Sequence, residues 1–289
     1  QQEIKATLYI MLLQKREENA ITLAATANNG RIIEEPMPAG IVSPQGKKIY
    51  MITFVIGIGI PLGIIFLLNL LRFRIEGHTD VEKLTKVPII GDIPLTGSNK
   101  HEESAIAVRE DDNDIMTETF RSLRTNLLFM MGDPDKKVVL VTSTISGEGK
   151  TFIASNLALS LALLGKKVIL VGLDIRKPGL NKLFHLSHKE KGITQYLVAP
   201  KSTDLHALIQ PSGITSNLDL LLGGPIPPNP TELLARQSLE DTISTLRKEY
   251  DYIVLDTAPI GMVTDTLILS RVADASIYVC RADYTHKTD

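Results

Sequence analysis

Apolar positions along the chain form three kinds of pattern. In residues 2–27, Ile4, Leu8, Met11, Leu12 and Leu23 recur at helical spacing, interrupted by the charged run 15–18. That pattern predicts a helix able to join a coiled coil or bundle, or to lie on a core. Asn28-Asn29-Gly30 is a turn signal, and a short strand-like piece, 31–34, leads into a connector punctuated by Pro36, Pro38, Gly40, Pro44 and Gly46. The second kind is residues 49–71, which carry no charged side chain. At ~1.5 Å rise per residue such a stretch crosses a ~30 Å hydrocarbon core, so it predicts a transmembrane helix. A buried core helix is the competing reading. Gly59 and Gly63 make a small-residue pair that lets helices approach, and Pro61 between them is a candidate kink.

The third kind begins near residue 115. Helical periodicity covers 115–130, followed by short β-branched or leucine-rich runs at 138–141, 167–171, 218–222, 252–255 and 275–279, with helical stretches between them. Residues 152–164 read as an amphipathic helix separated from the first of these runs by a small, Gly-rich loop. Strands alternating with helices predict an α/β domain: a doubly wound, mostly parallel sheet with helices on both faces. Between the apolar span and this domain, 72–103 reads as a linker containing a strand-like piece at 87–93. Residues 101–114 are acidic and predict a mobile, solvated stretch.

Composition narrows the function classes. The 289 residues, 44% hydrophobic and 22% charged with a formal net charge of −2, lack a concentrated basic run, so nucleic acid is not an expected partner. With one cysteine, Cys280, neither a disulfide framework nor an all-cysteine metal site can form within one chain; a small buried hydrophobe is the expected role. The six histidines are scattered, and His185 and His188 are joined by no carboxylate set that would complete a metal site. The chain opens on QQEIKATLYI, without an initiator Met or a signal-peptide layout, and reads as a piece of a longer protein.

The candidate chemistry centres on VVLVTSTISGEGKTFIA at 138–154. A buried strand, a small and Gly-rich loop, and a helix that opens on Lys150-Thr151 make an anion cradle of backbone N–H groups at a helix N-terminus. Lys150 supplies a point charge toward the β- and γ-phosphates, and Thr151 a hydroxyl ligand for Mg²⁺. The pattern G-x-x-x-x-G-K-[ST] places Thr144 where its first glycine stands, so Gly149-Lys150-Thr151 match strictly and Gly147 restores some backbone freedom. Ser146, Gly147, Glu148, Gly149, Lys150, Thr151 and Phe152, together with Arg281, form the expected nucleotide-binding set. Ligands of parallel sheets sit beyond the carboxyl ends of strands, and two aspartates fall there: Asp256 at the end of YIVLD, and Asp174 in VILVGLDIRKP. Either could cap a helix; beside a phosphate loop, both are expected as Mg²⁺ ligands. Glu118, Arg121 and Arg124 lie along one side of the 115–130 helix, either pairing locally on a solvated face or docking a neighbouring subunit. No N-K-x-D motif appears, since Asn181-Lys182 is followed by Leu183-Phe184, so ATP is expected rather than GTP.

These motifs resemble those of the bacterial tyrosine kinases of the polysaccharide co-polymerase class, membrane proteins that govern capsule and exopolysaccharide production. The resemblance runs over nearly the whole chain. It covers the Pro-rich segment before the span, the linker VEKLTKVPIIGDIP after it, a Walker A segment at 144–151 and a Walker B segment at 253–259. It also covers an acidic D-x-D-x-R motif at 169–176, the E-x-x-R-x-x-R oligomerisation motif on Glu118, Arg121 and Arg124, and GGPIPPNPTELL at 223–234 near the family's subunit interface. It implies an extracytoplasmic co-polymerase region ending at 1–48, a transmembrane helix at 49–71, a juxtamembrane linker at 72–103 and a cytoplasmic kinase domain at 104–289, in the bacterial inner membrane. Implied partners are neighbouring subunits of a ring-like homo-oligomer, a tyrosine phosphatase and the polysaccharide polymerase and export machinery. Two departures stand out: Gly172 occupies the first aspartate of D-x-D-x-R, and the family's tyrosine-rich tail is absent after Asp289. Tyr284, the last tyrosine, is not the expected acceptor.

The expected activity is ATP-dependent tyrosine phosphorylation of a neighbouring subunit, with Lys150, Asp174 and Asp256 catalytic and Thr151, Asp174 and Asp256 holding Mg²⁺. Two other readings remain. One is a P-loop ATPase switch like the partitioning ATPases, which carry an extra lysine where this chain has Ile145. The other is a membrane scaffold in which nucleotide sets only the oligomeric state.

Overall fold

The structure, a computed structural model, describes residues 2–26, 45–70, 73–95, 106–109, 114–186 and 191–288, with the side chains of 68–70 left aside. The expected turn at 28–30, the strand-like piece at 31–34, most of the Pro-rich connector, His188 and much of the acidic stretch lie outside the described residues. The chain divides into two compact units, Gln1–Asn69 and Leu70–Asp289.

The first unit contains α1 (Gln2–Ala25) and α2 (Gly46–Leu70). The described side chains of α1 are all exposed, so its apolar stripe meets no core among the described residues. Helix α2 starts at Gly46, ahead of the expected 49, because Lys48 and Ile49 N–H groups both bond Gln45 O and extend the first turn. Its 22-residue segment Gly46–Leu67 holds an 18-residue window with a mean hydropathy of 2.3, none of it buried. The helix has the length and composition of a membrane span. Pro61 stands inside the continuous helix, and a side chain added at Gly59 or Gly63 would meet nothing within 4 Å.

The second unit begins with a strand-like edge. Ile75 N–H donates to Thr285 O and Asp283 N–H to Ile75 O, while Arg74 and His286 form an antiparallel bridge. Helix α3 (His78–Leu84) follows, and α4 (Ile115–Met131) comes next among the helices. Residues 87–93 are not a strand. They run irregularly along α4, where Asn126 Nδ2 donates to Ile90 O and Gly91 packs against Leu123. Nor is the acidic stretch wholly solvated: Val108 is buried, and the N–H groups of Ala107 and Val108 both donate to Asn156 Oδ1. Asp114 caps α4 by accepting from Thr117 N, and Gly132 at φ 59° ends it with the left-handed turn that only glycine adopts cheaply.

From there strands and helices alternate: β1 (Val138–Ser143), α5 (Lys150–Leu163), β2 (Val168–Gly172), α6 (Leu180–Leu183), α7 (Ile193–Val198), β3 (Ile209–Pro211), β4 (Leu218–Leu221), α8 (Pro230–Leu234), α9 (Gln237–Glu249), β5 (Tyr252–Asp256), α10 (Asp265–Leu269) and β6 (Ala275–Val279). The sheet order is β3-β4-β2-β5-β1-β6, parallel except for the short edge strand β3. Alternate strand residues face opposite ways. Val139, Val141, Leu170 and Val254 therefore join one core with α4 and α5, while Val138, Leu140, Ile169, Ile253 and Leu255 join the other with α7, α8 and α9. Helix α5 is not amphipathic as expected: Ala154 to Ala162 are buried without interruption because α4 covers the side that the sheet leaves free.

Opposite the site, Asp274 ties the sheet's lower edge together. Its Oδ2 accepts from Lys137 N and Val138 N at 2.8 Å, and its Oδ1 accepts from Arg247 Nη2 at 2.7 Å. Burial works to raise this carboxyl, but the bonds to Arg247 and the two amides hold it below its ordinary value of 3.8. The native state thus binds fewer protons than the unfolded chain at low pH. The stabilisation is present in full above that value and is lost as pH falls below it. Asp274→Asn should lower stability at pH 7 by about 1–3 kcal/mol and flatten the acid limb of the urea-midpoint profile. An unchanged acid limb would remove Asp274 from that role.

Candidate active site

Strand order brings the chemistry together. β5 lies between β1 and β2, with Val141 opposite Asp256 and Gly172 opposite Asp256 in the register, so three carboxyl ends meet at one point. The loop leaving β1 turns through Gly147 at φ 97° and Gly149 at φ 95°, left-handed conformations that exclude ordinary side chains without strain. Thr144, at the usual glycine position, needs no such freedom. It is buried, bonded through its hydroxyl to the Tyr278 hydroxyl, and its carbonyl accepts from Gly261 N at 3.1 Å.

Lys150 Nζ pairs with Asp174 Oδ2 at 3.0 Å, with side chains 12% and 5% exposed, so this charge pair is nearly dry. Thr151 Oγ1 donates to Asp256 Oδ1 at 3.1 Å. The loop after β2 is fixed on β5: Leu173 N and Asp174 N both donate to Asp256 O, at 2.8 and 3.0 Å, and Lys177 N donates to Asp174 Oδ1 at 3.0 Å. Burial pushes the Asp256 carboxyl up to about 7. The Lys150 ammonium and the Thr151 hydroxyl pull against that rise, and Asp174 adds to it. Four expected residues, Lys150, Thr151, Asp174 and Asp256, thus form one cluster at the mouth of the loop.

The other expected binding residues divide. Glu148 is 4% exposed; its Oε2 accepts from Ile145 N at 2.8 Å and its Oε1 is bonded by the Thr285 hydroxyl, so only its backbone remains for a ligand. The Phe152 ring packs edge-on against Phe120 in the core. Arg281 Nη1 donates to Gly147 O at 2.8 Å, and Tyr284 Oη donates to Ser146 O at 2.9 Å, so both residues grip the loop itself. Cys280 lies just beyond β6 and is only half-buried, a departure from the buried hydrophobe expected; burial still raises its thiol.

Gly172 has a local explanation. A side chain there would come within 3.1 Å of Leu180 Cδ1 and 3.2 Å of the Gly223 amide, so the space of the missing aspartate is filled. On α4, Glu118 and Arg121 pair with each other at the surface, while Arg124 Nη1 reaches across to Ser160 O on α5 at 2.7 Å. Arg176 was legible only as part of a motif. Its guanidinium forks onto Asp265, Nε to Oδ2 at 2.7 Å and Nη2 to Oδ1 at 3.1 Å, and also donates to Thr231 Oγ1 at 2.8 Å. Burial acts to raise Asp265, but Arg176 and Thr231 hold it below the ordinary carboxylate range. The loop after β2 and the first turns of α8 and α10 are locked together by this set, which no spacing in the sequence announces.

A strand, a glycine-bearing loop and a helix opening on lysine and threonine, with two strand-end aspartates, define a P-loop nucleotide-binding domain of the ATP class. The family model described as an AAA domain matches residues 136–285. The chain is 37% identical over 189 residues to the tyrosine-protein kinase YwqD of Bacillus subtilis, covering 65% of this chain and 78% of that protein. It is 28% identical over 288 residues to the tyrosine-protein kinase wzc of Salmonella typhi, covering 95% of this chain and 39% of that protein. The kinase domain of the Escherichia coli tyrosine kinase ETK superposes with a TM-score of 0.60 at 29% identity, covering 67% of this chain and 77% of that one. The chain belongs to the bacterial tyrosine-protein kinase family. It spans about two fifths of the length of the longer relatives it matches.

Proposed function

We propose that the chain is the membrane-anchored catalytic part of an ATP-dependent protein tyrosine autokinase. The observation that carries this reading is the dry cluster in which Lys150 pairs with Asp174 and Thr151 with Asp256 at the mouth of the phosphate loop. Loop N–H groups and Lys150 would hold the phosphates and neutralise charge that develops in transfer. The donors also suit Mg²⁺: a hydroxyl and two carboxylates are hard oxygen ligands, and Mg²⁺ is commonly held by one or two carboxylates plus substrate phosphates. Thr151, Asp174 and Asp256 would hold it, and when bound it supplies further charge neutralisation at the phosphates.

With little covalent chemistry for the protein to perform, positioning and electrostatics do most of the catalysis. With Gly172 in place of the family's first aspartate, Asp174 would take on more of the work at the metal and toward the tyrosine hydroxyl. The domain reading is a membrane helix at 49–71, an extracytoplasmic end at 1–48, a juxtamembrane linker at 72–103 and a cytoplasmic kinase domain at 104–289. It rests on the span's exposed apolar surface and on ATP being a cytoplasmic substrate. Glu118, Arg121 and Arg124 are proposed to face a neighbouring subunit of a ring, and the family resemblance supports a role in capsule or exopolysaccharide production. A mixing experiment tests the transfer. A tagged Lys150→Met form of the full-length protein, inactive itself, should gain phosphotyrosine when incubated with the untagged full-length wild type and MgATP. The reading fails when neither chain gains any.

A further inference from the structure

The phosphate loop is held from outside by one turn of the chain. Residues 281–285 follow β6, and three of their side chains bond three successive loop residues: Tyr284 to Ser146 O, Arg281 to Gly147 O, and Thr285 to the Glu148 carboxylate. The turn is itself fixed, since Thr285 Oγ1 accepts from Arg281 N at 2.8 Å and Thr285 N bonds Arg281 O at 2.9 Å. The guanidinium of Arg281 also lies over the Tyr284 ring, 5.2 Å from its centre. At Gly147 an added Cβ would stand 3.0 Å from Tyr284 Oη, so the fit is closed on that side as well.

The consequence follows from the planar trans peptide, whose C=O and N–H point in opposite directions. A donor that fixes Ser146 O outward fixes the Gly147 N–H inward, and one that fixes Gly147 O outward does the same for the Glu148 N–H. A run of inward N–H groups is what an anion-binding nest requires. The peptides flanking Gly147 are the ones most free to flip, because glycine adopts both signs of φ with little penalty. We infer that Arg281 and Tyr284 are positioning residues for the nucleotide phosphates: they pin the outer carbonyls of the loop so that the N–H groups of Gly147 and Glu148 face the phosphate before it arrives. The inference rests on the nucleotide reading above. It gives Arg281 a place in binding that needs no contact with the nucleotide, and it gives Tyr284 a role other than phosphate acceptor.

The test is equilibrium binding of a fluorescent ADP analogue with Mg²⁺ to the 289-residue chain in detergent, paired with the thermal midpoint of the nucleotide-free protein. Tyr284→Phe, which removes one hydroxyl and leaves the ring, should weaken binding about fivefold, and Arg281→Ala about tenfold. Both should melt within about 2 °C of the wild type without nucleotide, because each surrenders a half-exposed bond outside the core. Arg281→Lys, which keeps a donor within reach of Gly147 O, should recover binding to within about threefold. Binding by Tyr284→Phe and Arg281→Ala within twofold of the wild type would overturn the inference. So would affinity losses that track an equal loss of apo stability, or Arg281→Lys behaving as Arg281→Ala. A wild type that binds no ADP analogue would instead bring down the nucleotide reading itself, and the inference with it.

Discussion

Replacing Lys150 by methionine is expected to lower phosphotyrosine formation by about 10²–10³-fold, the usual cost of removing one charged donor aimed at developing transition-state charge. Methionine keeps the length and flexibility of the lysine stem and removes only the ammonium. The site leaves little to replace it: Lys150 is 12% exposed, its partner Asp174 is 5% exposed, and a dry, low-dielectric setting makes each charge count for more than it would in water. The substitution also strips Asp174 and Asp256 of their nearest cation, so Mg²⁺ and nucleotide affinity should respond along with the rate. Phosphotyrosine within about threefold of the wild type, by quantitative mass spectrometry, would show that transfer does not run through this loop.

Asp256→Asn should remove activity to a similar degree and yet make the empty protein more stable. The carboxyl is 1% exposed and burial raises it to about 7, against 3.8 for an unperturbed aspartate. Between those values the folded chain keeps a proton that the unfolded chain releases, so stability falls as pH rises from about 4 to 7 and stays low above it. A neutral amide avoids that loss while its Oδ1 still accepts from Thr151, and Lys150 keeps Asp174. In chelator at pH 8 the variant should be more stable by roughly 2 kcal/mol, about 4–8 °C in midpoint for a unit of this size. An Asn variant that melts below the wild type at pH 8 would contradict this view of the site.

Much of the sheet could be read from the chain because each of its parallel strands is a short apolar run between polar turns, and aspartates at the ends of 168–172 and 252–256 then had one place to go. Strand β3 escaped because Ile209-Gln210-Pro211 is too short to show a period and contains a proline, which a strand tolerates only at an edge. The even burial of α5 was hidden because its outer cover, α4, comes from an earlier segment of the chain. Residues 87–93 have strand-like composition without a strand's partner, which is a matter of tertiary placement. The Arg176–Asp265–Thr231 set and the Arg281–Tyr284–Thr285 grip join segments far apart in sequence, so only the strand order β4-β2-β5-β1-β6 makes them neighbours. Local signals located the loop and its aspartates. What steadies them is nonlocal.

The most direct measurement follows the γ-phosphate of isotopically labelled ATP, given with Mg²⁺ to the wild-type protein and analysed by tandem mass spectrometry. The account predicts label on tyrosine side chains, and none when Lys150 is methionine. Label recovered solely as inorganic phosphate, one for each ADP formed, would make the protein an ATPase and contradict it.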